Sequence, residues 1–316
     1  TLLASSAASD VYKRQDLQKG CLDLQIIKTP KELNDWAKKN KVNGKTIGLV
    51  PTMGYLHEGH KSLIQKSSSQ NDLTVVSVFV NPAQFGENED LDSYPRDLER
   101  DKTAAEEAGA DIIFHPSAAD MYPESYGTYV SVDSDITKIL CGKSRPIHFR
   151  GVTTVVAKLF NITMADRAYF GQKDAQQLAV ILRMVSDLNM NIEIVPCPIV
   201  RESDGLAMSS RNTYLSSEER KQALVLSKSL KKAEEAINNG EKDLKTIKDG
   251  IRKIISEAPL ADIEYIEAYT FPGLSECGSI ISEKTLIALA VRFGSTRLID
   301  NIICLLYTSD AADEAR

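Results

Sequence analysis

Short apolar runs along the chain alternate with stretches in which apolar residues return every three or four positions. The runs at residues 46–50 (TIGLV), 73–80 (LTVVSVFV), 111–114 (DIIF), 167–170 and 191–196 predict strands. Between them, 59–69, 96–108, 153–162 and 174–188 predict helices, and Gly109 follows the second of these as a C′ glycine. Strands and helices alternating at this spacing predict an α/β fold, a doubly wound parallel sheet covered on both faces. Such sheets bind ligands at the carboxyl ends of their strands. From about Leu206 the pattern changes. A long charged amphipathic helix over 216–238, opened by Ser-Ser-Glu-Glu, precedes a helix over 243–257 and strands at 263–269 and 286–293. This predicts a smaller C-terminal α+β domain, with 198–205 as the hinge.

Composition removes several classes of function. The 316 residues correspond to about two domains at roughly 150 residues each. No apolar stretch exceeds Leu286 to Val291 in length, far short of the ~20 residues of a membrane-spanning helix. Five cysteines, widely spaced and in no Cys-x-x-Cys pair, fit reduced thiols of the cytoplasm better than a disulfide framework or a zinc site. A net charge of −6 without a basic face excludes a nucleic-acid binder. Residues 1–15 lack a basic n-region and a sustained apolar core, so they do not read as a secretory signal. The expected organisation is a tail over 1–21, a first domain over 22–200, a C-terminal lid domain over 201–303 and a tail over 304–316.

The candidate chemistry begins directly after the first of these strands. Met53-Gly54-Tyr55-Leu56-His57-Glu58-Gly59-His60 places two imidazoles on the first turn of a helix, where unpaired N–H groups and the helix dipole favour anions. Gly54 and Gly59 let a nucleotide approach the backbone. The same His-x-x-His spacing also suits a metal pair or an unconnected surface pair, although no third Cys or His ligand lies nearby. A second cluster, Met208-Ser209-Ser210-Arg211, offers hydroxyls and a guanidinium to phosphate oxygens. Alone, its serines equally suit the capping of a turn.

Longer runs carry a resemblance. His-x-Gly-His after a strand with a late Met-Ser-Ser-Arg loop resembles the class I nucleotidylyltransferase superfamily. The blocks VPTMGYLHEGHKSLI, SVFVNPAQFGENEDLDSYPRDLERD, RPIHFRGVTTVVAKLFNI, YFGQKDAQQLAVI, PIVRESDGLAMSSRNTYL and RLIDN, spread from about Leu24 to Ile303, together resemble the pantoate–β-alanine ligase family. That resemblance implies a Rossmann-like sheet with a lid and an ATP-dependent condensation of pantoate with β-alanine through a pantoyl adenylate, releasing pyrophosphate and AMP. It assigns ATP contacts to Met53, Gly54, Tyr55, Leu56, His57, Glu58, Gly59, His60, Gly171, Gln172, Lys173, Asp174, Val200, Met208, Ser209, Ser210 and Arg211. Of these, His57, His60, Lys173, Ser209, Ser210 and Arg211 would be catalytic, with His60 as proton donor or phosphate stabiliser. Gln84 and Gln177 would read pantoate, assisted by Asn81 and Arg145. The resemblance also implies Mg²⁺ carried with the ATP rather than held in a protein cage, no partner of nucleic acid or membrane, and a cytoplasmic homodimer. The SVFV strand is the expected subunit contact.

Other readings stay open at this point. Another His-x-Gly-His nucleotidylyltransferase, acting on phosphopantetheine or nicotinate mononucleotide, shares the histidines but needs no glutamine pocket. A regulatory module that binds a nucleotide without turning it over is the alternative outside enzymes. Singly, Gln177 and Asp174 suit a polar face and a helix cap, Arg145 and Arg150 a surface pair, and His148 and His115 structural anchors. The charges of 216–257 suit a solvated helical face. If 198–205 is a hinge, closure of the lid would bring Arg211 and the serines onto bound ATP and exclude water.

Overall fold

The computed structural model describes residues 24–87 and 89–304. Its larger part is a six-stranded sheet built from β1 (Gln25–Ile27), β2 (Ile47–Thr52), β3 (Leu73–Val78), β4 (Ile112–Phe114), β5 (Arg167–Gly171) and β6 (Glu193–Cys197). Every pairing is parallel, in the order β1-β4-β3-β2-β5-β6. The connections are α1 (Pro30–Val42), α2 (Glu58–Gln70), α3 (Leu98–Glu107), the short α4 (Ala118–Met121) and α5 (Leu140–Ser144), α6 (His148–Thr163) and α7 (Ala175–Asp187).

Period-two alternation fills both faces of this sheet. Ile47 and Leu49, Leu73 and Val75, and Ala168 and Phe170 pack into one core. Val50, Val76 and Val78, and Tyr169 pack into the other. Strands buried on both sides read as continuous apolar runs, which is why they were legible. Winding runs outward from β2 through β3 to β4, then returns to the other side of β2 with β5. The switch point lies between β2 and β5, so the loops leaving their carboxyl ends face one another across a crevice.

The C-terminal part holds α8 (Ser217–Ala223), α9 (Val225–Asn238), α10 (Leu244–Ile255) and an antiparallel sheet of β7 (Ala261–Thr270), β8 (Thr285–Phe293) and β9 (Thr296–Cys304). Along β8, Ile287, Leu289, Val291 and Phe293 join the small core. Leu286 and Ala288 instead point into the core of the large sheet. The two parts therefore share an apolar seam.

Several expectations change. The helix expected over 216–238 is two helices, because Leu224, at ψ −18°, tightens the turn and breaks the i→i−4 ladder. β1 is too short to show a period, and β9 mixes apolar residues with the buried Asp300 and Asn301. α1 has only Leu33 and Ala37 fully buried, although Thr29 and Glu32 form a capping box around Pro30 at the first helical position, which marks its start. Of the SVFV stretch, Ser77 and Val78 end β3, which is interior to the sheet, Phe79 is buried and Val80 is half-buried. β9 takes in the buried Cys304, which the sequence pattern sets in the tail. The rest of both tails, and Cys21, lie outside the described residues; Cys141, Cys197, Cys277 and Cys304 are free thiols. No helix among the described residues is long and apolar enough to cross a membrane.

Candidate active site

The loop leaving β2 turns sharply. Gly54 and Tyr55 both adopt left-handed backbone, at φ +88° and +53°, which for tyrosine costs on the order of 1 kcal/mol. The turn delivers Met53 to the crevice and sets His57 as the N-cap of α2. The His57 N–H donates to His60 Nδ1 at 3.4 Å, and the two rings stack with centroids 4.0 Å apart. A ring nitrogen that accepts an N–H carries no proton, so neutral His60 keeps its proton on Nε2. Burial first, then the Lys173 charge, lowers the His57 pKa to about 4. Burial, the neighbouring His57 and Lys173 hold His60 well below its ordinary value. Both rings are therefore neutral at pH 7. His57 Nδ1 is buried with no hydrogen-bond partner, and Gly59 leaves room for that ring: a Cβ there would sit 3.0 Å from Nδ1.

Opposite lies the turn after β5. Gly171 leads into a 3₁₀ turn over Gln172–Asp174, and Lys173, about one-fifth exposed, reaches Asp174 at 3.7 Å. Asn301 of β9 donates from Nδ2 to the carbonyls of Gln172 and Lys173, at 3.0 and 2.9 Å, so the C-terminal sheet helps hold this turn. Past the hinge, Ser209 Oγ accepts the Arg211 N–H at 3.3 Å, which is a capping role, while Ser210 is buried. Arg211 forms a bidentate pair with Asp90 through Nε and Nη2, both at 2.9 Å.

The remaining wall is a 3₁₀ turn at Pro82–Gln84 after β3. Asn81 is 1% exposed and uses its whole amide. Its Oδ1 accepts from Tyr122 Oη at 2.8 Å and from the Ala83 N–H, while Nδ2 donates to Gly151 O and to Gln84 Oε1, both at 3.1 Å. Asn81 thus orients Gln84, whose Nε2 faces Met53 Sδ at 3.1 Å. Arg145 is held by Glu89, with Nε to Oε1 at 2.9 Å, and donates to His148 Nε2 at 3.3 Å. His148 in turn donates from Nδ1 to the Gln84 carbonyl at 3.0 Å, and burial lowers its pKa to about 4. His115 donates to the Val78 carbonyl at 2.8 Å, anchoring its loop.

Together these elements enclose a cavity of about 230 Å³ lined by Met53, His57, Gly59, His60, Asn81, Gln84, Arg145, Gly171, Lys173, Asp174, Gln177, Val200, Met208, Ser209, Ser210 and Arg211. A second cavity of about 530 Å³, between the two parts of the molecule, shares Arg145, Lys173, Asp174, Gln177, Ser209 and Arg211. Five expected contacts do not line either cavity. Gly54 and Leu56 are buried behind the loop, Tyr55 lies under the Arg100 guanidinium, Glu58 pairs outward with Lys61, and Gln172 contributes its carbonyl to Asn301. Sequence reasoning missed Asp101, Glu89, Asp90, Tyr122 and Asn301 as parts of the site. Each acts through a fold contact on a residue far away in the chain, and no local pattern marks such a contact.

The pantoate-beta-alanine ligase family matches residues 25–303. A pantothenate synthetase of Acetivibrio thermocellus is 60% identical over 280 residues, covering 89% of this chain and 99% of that protein. One from Caldicellulosiruptor saccharolyticus is 60% identical over 272 residues, covering 86% and 96%. The crystal structure of the Thermus thermophilus pantothenate synthetase superposes with a TM-score of 0.83 at 42% identity, over 88% of this chain and 98% of that one. The Francisella tularensis pantoate-beta-alanine ligase, solved in complex with beta-gamma ATP and beta-alanine, superposes with a TM-score of 0.72 at 34% identity, over 89% and 97%. With the two histidines, Lys173 and the Met-Ser-Ser-Arg loop gathered at the switch point of this sheet, the chain belongs to the pantoate–β-alanine ligase family.

Proposed function

We propose that the cleft condenses pantoate with β-alanine, cleaving ATP to AMP and pyrophosphate. A pantoate carboxylate oxygen attacks the α-phosphorus and pyrophosphate leaves. The β-alanine nitrogen then attacks the acyl carbon, and AMP leaves as the amide forms. A carboxylate is a poor acyl donor until its oxygen becomes a good leaving group, and the mixed anhydride supplies that without a covalent enzyme intermediate.

The observation that carries this reading is the meeting of three independent loops, after β2, after β5 and after the hinge, around one cavity that Gln84 and Gln177 also line. Neutral His60, with its proton on Nε2, suits hydrogen-bond donation to the phosphates. Lys173 and Arg211 offset the charge that develops on departing pyrophosphate. Val200 borders the adenine side. Gln84 and Gln177 present amides that both donate and accept, matching pantoate's hydroxyls and carboxylate. Catalysis is then positioning and charge stabilisation.

The residues fit magnesium brought by the nucleotide. Among the described residues no group of three or more His, Cys, Asp or Glu side chains could hold a metal, and Glu89 and Asp90 are engaged by arginines. Phosphate oxygens and water would be its ligands, and when bound it neutralises triphosphate charge. We further propose, from the sequence resemblance alone, a cytoplasmic homodimer, and from the sequence pattern two domains per chain, 22–200 and 201–303.

The test is purified protein with Mg-ATP and pantoate, scored for pyrophosphate, then for AMP after β-alanine is added. Pyrophosphate release that ignores pantoate would point instead to another nucleotidylyltransferase. Binding of ATP without turnover would leave only the regulatory module. His60→Ala should lower kcat by about 10² or more, the scale of losing one preorganised donor.

A further inference from the structure

Asp101 sits on α3, more than forty residues from the His-x-Gly-His loop, and is 1% exposed. Its carboxylate accepts from the backbone N–H of Tyr55 at 2.9 Å, through Oδ2, and of Leu56 at 2.6 Å, through Oδ1. These are two consecutive amides on the strained side of the turn. The carboxylate also fills the space beside Gly54, where a Cβ would lie 2.8 Å from Oδ2. The Gly54 N–H donates to Thr52 Oγ1 at 3.1 Å, whereas the amides of Tyr55 and Leu56 have no ladder between β2 and α2 and require a buried acceptor.

We infer that Asp101 is a positioning residue for the reaction. Its carboxylate clamps the Gly54–Leu56 turn so that Met53 and His57 reach the nucleotide in register with His60 and Lys173. Asp101 itself touches no substrate and lines neither cavity. The wall made by Asn81, Gln84 and Arg145 is held by Tyr122, Gly151 and Glu89, and it touches the loop through one contact, Gln84 Nε2 on Met53 Sδ. Loss of the clamp should therefore act on ATP and spare pantoate. This rests on the assignment of the loop to ATP.

Asp101→Asn keeps the size of the side chain but turns one acceptor into a donor facing a backbone N–H. Titration calorimetry with β,γ-methylene-ATP and, separately, with pantoate reads both ends of the site. The expected result is a rise of roughly tenfold or more in the nucleotide Kd with the pantoate Kd within twofold. Unchanged nucleotide affinity, or equal weakening of both ligands, would overturn the inference. Should Asp101→Asn fail to fold, Gly54→Ala pushes the same turn away from the carboxylate, and the same split in affinities is expected; no split there overturns the inference equally. Wild-type protein that takes up no analogue would sink the ATP assignment instead, so the two failures are distinguishable.

Discussion

His60 accepts the His57 amide through Nδ1, and that bond decides what the ring offers the cleft: one N–H donor and no charge. The stacked pair and His148 are imidazoles kept neutral by burial. Unfolded histidine binds a proton near 6.5, while folded His57 and His148 do so only at about 4. Between these values the unfolded chain holds more protons, so stability falls as pH falls. By pH 5 each ring should cost on the order of 1–2 kcal/mol. Glu89 and Asp90, held below their ordinary values by Arg145 and Arg211, lose their contribution only at still lower pH. Asp101, raised by burial, acts in the opposite sense, so a drop in the urea midpoint from pH 7 to pH 5 reads the imidazoles, and equal midpoints in Asp101→Asn protein would contradict neutral buried rings. The residue types of this site were legible from the spacing of His57 and His60. Their protonation was not, because desolvation and the Lys173 charge arise only when β2 and β5 lie side by side.

At the scale of elements, α6 and the turn after β3 meet at Gly151. A Cβ there would lie 2.3 Å from the Ala83 carbonyl and 2.5 Å from Gln84 Cα, both backbone atoms. The Gly151 carbonyl also receives Asn81. Gly151→Ala should overpack this contact, destabilising the fold by roughly 1–3 kcal/mol, and raise the KM for pantoate more than that for ATP. Steady-state kinetics with denaturant unfolding checks both, and an unchanged pantoate KM would separate α6 from the glutamine wall. The strands of the large sheet were legible because they are apolar on both faces. The first turn of α6 was not: His148 to Gly151 shows no helical period of its own, and His148 and Gly151 are buried against the turn at Ala83 and Gln84. The break at Leu224 was likewise invisible, since both sides of it keep one amphipathic face.

For the molecule as a whole, the second part is packed onto the first. Leu286 and Ala288 are built into the larger core, and Arg201 of the hinge pairs with buried Asp300 at 2.7 Å. Asn301 grips the Lys173 turn and Arg211 already lines the cavity. Rigid-body closure would have to disturb this apolar seam, and we predict that closure is instead a local movement of the Met208–Arg211 and Glu89–Asp90 segments. Small-angle scattering should show nearly the same radius of gyration with and without an adenylate analogue; a clear contraction would restore the hinge. Asn301→Ala should weaken nucleotide binding several-fold while leaving the pantoate KM unchanged in steady-state kinetics, because it frees the carbonyls that hold Lys173.

The chain by itself determined the alternation of elements, the parallel sheet, the position of its crevice and the residue types proposed to meet triphosphate, since these rest on local periodicity and on short motifs at helix starts. Tertiary structure alone decided which histidine nitrogen carries the proton, which arginines are already engaged, and that Asp101, Tyr122 and Asn301 brace the loops around the cavity. Those features depend on burial and on contacts between residues up to about 130 positions apart, which no local pattern in a sequence records.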